Sequence, residues 1–199
     1  MKTCRGTSVT EWPKPDMPQS KFTPDQALEL AAAFEAHQVE YLFFGKSAAI
    51  LLGFPAITQD VDLFLPKDRD NGARVIRALE SLGFQISAGI RTKILHHADF
   101  VRLKDGPFDL DLIYSPDGID SYEKAKEHCI IQDNFPVANL RDIIASKRAS
   151  NREKDLIDLP LLEEFRREYD KLHSPRLRTA LEKSLSKPGT AAKKTLRSG

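Results

Sequence analysis

The chain has 199 residues, 41% hydrophobic and 30% charged, with a formal net charge of +1, which is enough apolar chain for a real core and predicts one compact domain, alone or with a small helical extension. No apolar run approaches the roughly 20 residues that cross a bilayer, and the N-terminal MKTCRGTSVTEWPKP lacks the apolar centre of a signal peptide. Two cysteines, Cys4 and Cys129, make neither a metal cluster nor a disulfide framework, so a cytoplasmic protein with no membrane contact is expected.

Residues 1–22 read as a Pro-rich lead-in. Thr23-Pro24-Asp25-Gln26 then supplies an N-cap, a proline at the first helical position and a capping-box glutamine, predicting a helix over about Pro24 to His37. VEYLFF reads as a buried strand ending at Gly45, and SAAILL as a short helix closed by Gly53. FPAIT is a loop and QDVDLFL a strand. Asp68 or Asp70 caps an amphipathic helix, ARVIRALESL, which Gly83 ends before FQIS resumes an extended pattern. DFVRLK and FDLDLIY flank a Lys104-Asp105-Gly106-Pro107 turn and predict a hairpin. From Ser121 the pattern turns mostly helical: SYEKAKEHC, LRDIIASKRAS, and a long charged helix through EKDLIDLPLLEEFRREYDKL that Pro160 kinks or restarts. Residues 171–199 carry eight Lys or Arg against one Glu, leaving an acidic body and a basic tail that reads as a solvated, disordered end before it reads as an RNA grip. The expected organisation is a core over 23–135, C-terminal helices packed on it over 136–172, and the tail over 173–199. This order of elements predicts an α+β fold, close to α/β, with a small mixed β-sheet flanked by helices.

Gly45-Lys46-Ser47 invites comparison with a phosphate loop, but the required glycine five positions earlier is Glu40. What remains is a strand ending at a glycine and a helix start, whose free N–H groups favour an anion. The carboxylates say more. Asp60 and Asp62 are two apart on a strand, so they share one face, roughly 6 to 7 Å apart, while Val61, Leu63 and Leu65 face the core. Asp109 and Asp111 repeat the arrangement. If the two strands are neighbours, three or four carboxylates converge on a patch that calls for a cation, and oxygen donors of this hardness suit Mg²⁺ or Mn²⁺. Two such ions stabilise the attacking and leaving oxygens of a phosphoryl displacement. The adjacent His96 and His97 share no face and make a poor metal pair.

FFGKSAAILLG, PAITQDVDLFL and FDLDLIYSPDGI together resemble the nucleotidyltransferases of the polymerase-beta superfamily, which pair a Gly-Gly or Gly-Ser helix start with a D-h-D strand (h, apolar) and a later third carboxylate. ASKRASNREKDLIDLPLLEEF resembles the helix signature of the AbiEii-type branch, the enzymes of abortive-infection and type IV toxin–antitoxin systems. The resemblance covers about residues 41 to 165. It implies a nucleotidyltransferase fold in which Asp60, Asp62 and Asp111 ligate Mg²⁺ or Mn²⁺ and Asp111 polarises the acceptor hydroxyl. Asp109 has no counterpart in that pattern, but its place on the same strand face as Asp111 would let it assist. Gly45, Lys46, Ser47 and Thr58 would lie against the bound NTP. Lys147 and Arg152 would meet the triphosphate or the acceptor, held in place by Asp155. Two positions depart from the pattern: Lys46 stands where the family has a second small residue, and Ala56 where it often has an arginine. Lys46 is expected to supply the charge that Ala56 lacks. The implied reaction moves a nucleoside monophosphate from an NTP to a tRNA end, a protein hydroxyl or a small molecule, releasing pyrophosphate, with an antitoxin as a possible partner. The alternative is a degenerate module of the same fold that binds nucleotide, RNA or a partner protein without chemistry.

Overall fold

The structure, a computed structural model, describes residues 22–174. The first helix, α1 (Pro24–Ala36), starts as its sequence requires: Thr23 Oγ1 accepts from the Gln26 N–H, and Gln26 Oε1 accepts from the Thr23 N–H. β1 (Leu42–Phe44) is shorter than the apolar run that announces it and leads directly into α2 (Gly45–Leu51). β2 (Asp60–Phe64) follows, then α3 (Arg69–Ser81), whose N-cap is Asp68, accepting from the Asn71 N–H at 2.5 Å. Asn71, fully buried, ties α3 to the approach to β1 by exchanging two hydrogen bonds with the Glu40 backbone.

Two stretches depart from the sequence reading. FQIS forms no strand; Gln85 donates its N–H to Asp105 O, and Ser87 caps a short helix, α4 (Ala88–Leu95), that the extended reading did not foresee. The helical reading after Ser121 holds for α5 (Tyr122–Glu127), but the chain then makes a small hairpin, β5 (Ile130–Gln132) and β6 (Phe135–Val137). Asp133 and Asn134 form its turn, both at positive φ, the conformation that a two-residue hairpin needs and that Asp and Asn tolerate best. The expected hairpin is present as β3 (Phe100–Leu103) and β4 (Asp109–Ile113). The chain closes with α6 (Leu140–Ser150) and α7 (Glu153–Leu172). Pro160 lies inside α7, so the expected restart does not occur; its ring is exposed and it removes a single N–H donor from the helix.

The sheet runs β3-β4-β2-β1-β6-β5 and is mixed: β2 pairs parallel with β4, β1 parallel with β6, and the other pairs are antiparallel. Helix α3 packs on α1 and α4, while α6 packs on α2 and α7. Leu63, Leu65, Leu110, Phe43 and Phe34 are wholly buried in the common core, each contributing about 2 kcal/mol by leaving water. No described helix is long and apolar enough to cross a membrane.

Candidate active site

Strand alternation puts Val61 and Leu63 on one face of β2 and Asp60 and Asp62 on the other. The parallel register sets Asp60 opposite Asp109 and Asp62 opposite Asp111. One carboxylate oxygen from each of Asp60, Asp62 and Asp111 lies within 4.8 Å of the other two, and this is the one such group among the described residues. Asp111 is buried, with 2% of its surface exposed. Burial, and then the charges of Asp60 and Asp111, push the Asp62 carboxyl up to about 7, against the pull of Lys147 and Lys154. Like charges are held at close quarters here without enough internal compensation.

Each member is held by a specific neighbour. Thr58 Oγ1 donates to Asp60 Oδ1 at 2.8 Å. Ser47 is fully buried; its hydroxyl donates to Phe44 O and accepts from the Asp62 N–H, both at 3.0 Å, pinning β2 to the start of α2. Antiparallel pairing puts Phe44 opposite Asp62, so the chain turns into α2 directly against that carboxylate. Gly45 has φ +59, and a Cβ there would sit 2.2 Å from Asp62 Oδ2. Only glycine meets both conditions. Arg102, from the neighbouring β3, clamps Asp111 with both arms of its fork, Nε to Oδ1 at 2.7 Å and Nη2 to Oδ2 at 2.5 Å, and its Nη2 lies 3.7 Å from Asp60. Those hydrogen bonds raise the Arg102 pKa further.

The facing wall comes from α6 and α7. Asn151 ends α6 in the left-handed conformation, and Asp155 sits in the first turn of α7, where the helix dipole favours an anion. Its carboxylate accepts from Lys147 Nζ (2.6 Å), Ser150 Oγ (2.8 Å) and Arg152 Nε (2.6 Å). Burial pushes the Asp155 carboxyl up, but these three donors outweigh it and hold it at about 2. Between the walls lies a cavity of about 420 Å³.

The structure therefore brings Asp60, Asp62, Asp111, Gly45, Lys46, Thr58, Lys147, Arg152 and Asp155 to one cavity. Lys46 is in its wall, paired with Asp158 at 2.7 Å. Two expected residues are placed elsewhere. Ser47 lies behind the wall with its hydroxyl engaged by backbone, and Asp109 joins neither the cavity wall nor the carboxylate group. His96 and His97 end α4 and join no metal-binding group among the described residues. Sequence reasoning missed Arg102 and Asp158. Arg102 had a signal: in F-V-R-L it falls on the polar face of an alternating strand beside the strand of Asp111.

No family model matches the chain, and no curated protein matches it. Among solved structures, the lincosamide antibiotic adenylyltransferase LnuA, lincomycin-bound, superposes with a TM-score of 0.52 at 16% identity, over 72% of this chain and 98% of that one. The mixed six-stranded sheet, the flanking helices and this likeness together establish that the chain has the nucleotidyltransferase fold.

Proposed function

We propose that this protein is a metal-dependent nucleotidyltransferase that moves a nucleoside monophosphate from an NTP to an acceptor hydroxyl, with release of pyrophosphate. The observation that carries this reading is the gathering of Asp60, Asp62 and Asp111 on the floor of a cavity whose opposite wall carries Lys147, Arg152 and Lys154 beside Asp155 and Asp158. The site fits a hard divalent cation: the donors are carboxylate oxygens, and Asp62 is crowded by like charges that an ion would neutralise. When bound, Mg²⁺ or Mn²⁺ would stabilise the attacking and leaving oxygens of an in-line displacement.

The chain's own residues position the reactants. In this reading Asp111 receives the proton of the acceptor hydroxyl. Thr58 orients Asp60, Ser47 fixes the backbone of Asp62, and Gly45 leaves room for that carboxylate. Lys147, Arg152 and Lys154 offer positive charge to a triphosphate from α6 and α7, and Lys46 does so from α2. The helix signature that Lys147, Arg152 and Asp155 match supports the AbiEii-type branch, with RNA or protein as acceptor and an antitoxin as partner. A second reading, a small-molecule hydroxyl acceptor, is supported by the lincomycin-bound neighbour and by Phe100, a half-exposed ring in the cavity wall.

Thermal unfolding with each of the four NTPs, with and without Mg²⁺ or Mn²⁺, tests the proposal. A midpoint rise of about 5 °C or more that requires metal and nucleotide together is expected, and Asp62→Asn should lose both it and transfer of a labelled nucleotide. A rise retained in Asp62→Asn, or none with any pair, would overturn the reading.

A further inference from the structure

Arg102 engages two of the three carboxylates of the candidate cation site. Its fork engages both oxygens of Asp111, and its Nη2 also approaches Asp60. Asp111 is almost wholly enclosed, so its carboxylate has little freedom to turn elsewhere. Arg102, in contrast, is 45% exposed along its side chain. It reaches in from β3, an edge strand of the sheet, with its guanidinium over the Phe100 ring, 5.3 Å from the centroid. The carboxylate is enclosed, and the guanidinium is the solvent-facing partner of the pair. Asp62, the third member of the group, has no ion-pair partner among the described residues.

We infer that Arg102 is an internal counter-cation: it holds the carboxylate cluster together while no metal is bound, and it competes with the divalent ion for Asp111. This rests on the metal-dependent reading of the site and adds to it a regulation of metal entry. A guanidinium and a divalent ion cannot share the same two oxygens without strong mutual repulsion. Metal binding therefore displaces Arg102 from at least one oxygen, and the apparent affinity is lowered by the cost of that displacement. A merely structural Arg102 makes the opposite prediction, because its loss would let Asp111 drift and would weaken the metal site.

The test is a calorimetric titration of Mn²⁺ alone into the wild type, Arg102→Ala and Arg102→Gln, with thermal midpoints recorded with and without Mn²⁺. Arg102→Ala should unfold at a lower temperature than wild type without metal, yet bind Mn²⁺ on the order of tenfold more tightly and gain more from it in midpoint. Arg102→Gln keeps a hydrogen-bond donor without the charge, so it carries the same expectation of tighter binding if Arg102→Ala does not fold. Unchanged or weaker Mn²⁺ binding in the variants overturns the inference and leaves the proposed activity standing. Absence of Mn²⁺ binding in all three proteins also overturns the inference, and the proposed activity falls with it only if Mn²⁺ with NTP gives no midpoint rise either.

Discussion

Asp155 on α7 and Asp62 on β2 line the same cavity, and their surroundings drive them in opposite directions. Three donors converge on Asp155 and hold it at about 2, whereas burial and two neighbouring carboxylates push Asp62 up to about 7. The first carboxylate is completed by its own chain. The second is left with a charge that the chain does not neutralise. This difference separates structural from functional use of a buried charge: the α6–α7 cluster is balanced internally and positions Lys147 and Arg152, while the β2–β4 cluster is balanced only by a ligand or, in part, by Arg102.

The comparison breaks most visibly at Asp155. Asp155→Ala removes the nearest partner of the buried Lys147, leaving it Asp158 at 3.6 Å, and should cost about 3 kcal/mol, measured by urea unfolding at neutral pH. The pH dependence follows from the same contacts. The folded pKa lies below the ordinary carboxylate value, so the stabilisation is fully present above about pH 4 and is lost as pH falls toward 2. Wild type should lose about 2 kcal/mol more than Asp155→Asn across that window. Equal pH profiles would show that Asp155 is not held by its donors in solution.

Gly45→Ala attacks the other cluster through the backbone. A side chain at φ +59 costs about 1 to 2 kcal/mol, and the new Cβ would collide with the Asp62 carboxylate. Stability should fall by that amount or somewhat more, and the midpoint shift given by metal with NTP should disappear. Thr58→Val is the mildest change. Loss of the hydroxyl that orients Asp60 should leave stability within about 1 kcal/mol of wild type while weakening Mn²⁺ binding about tenfold, as removal of an outer partner of a metal ligand does. An unchanged Mn²⁺ affinity would mean that Asp60 needs no such support.

Much of the site was legible because its signals are local. The alternation in DVDLF and DLDLI assigns the carboxylates to one face of each strand, and the capping residues Thr23 and Asp68 mark helix starts in their own side chains. The stretches that were misread carry weak local signals. In AGIRTKIL, Gly89 lowers helix propensity and Ile94 is the sole buried position, so no apolar stripe announces α4. The three-residue strands β5 and β6 are too short for a period, and only Asp133-Asn134 hints at their turn. Arg102 was missed for a reason of register. A two-residue turn at Asp105-Gly106 would set Arg102 opposite Asp109, but the longer connection from Leu103 to Leu110 shifts the pairing and sets it opposite Asp111.

By itself, the amino-acid sequence determined which side chains share a strand face, where most helices begin, and that position 45 is a glycine between a strand and a helix, because these depend on backbone periods of 2 and 3.6 and on contacts within a few residues. Only the tertiary structure decided that β4 lies beside β2 in parallel, that Arg102 meets Asp111, and that Lys147 and Asp155 stand across the cavity from the carboxylates. Those relations join segments distant along the chain. They are selected by the shared burial of Val61, Leu63, Leu110 and Leu112 in one core, a long-range condition that no short window of sequence contains.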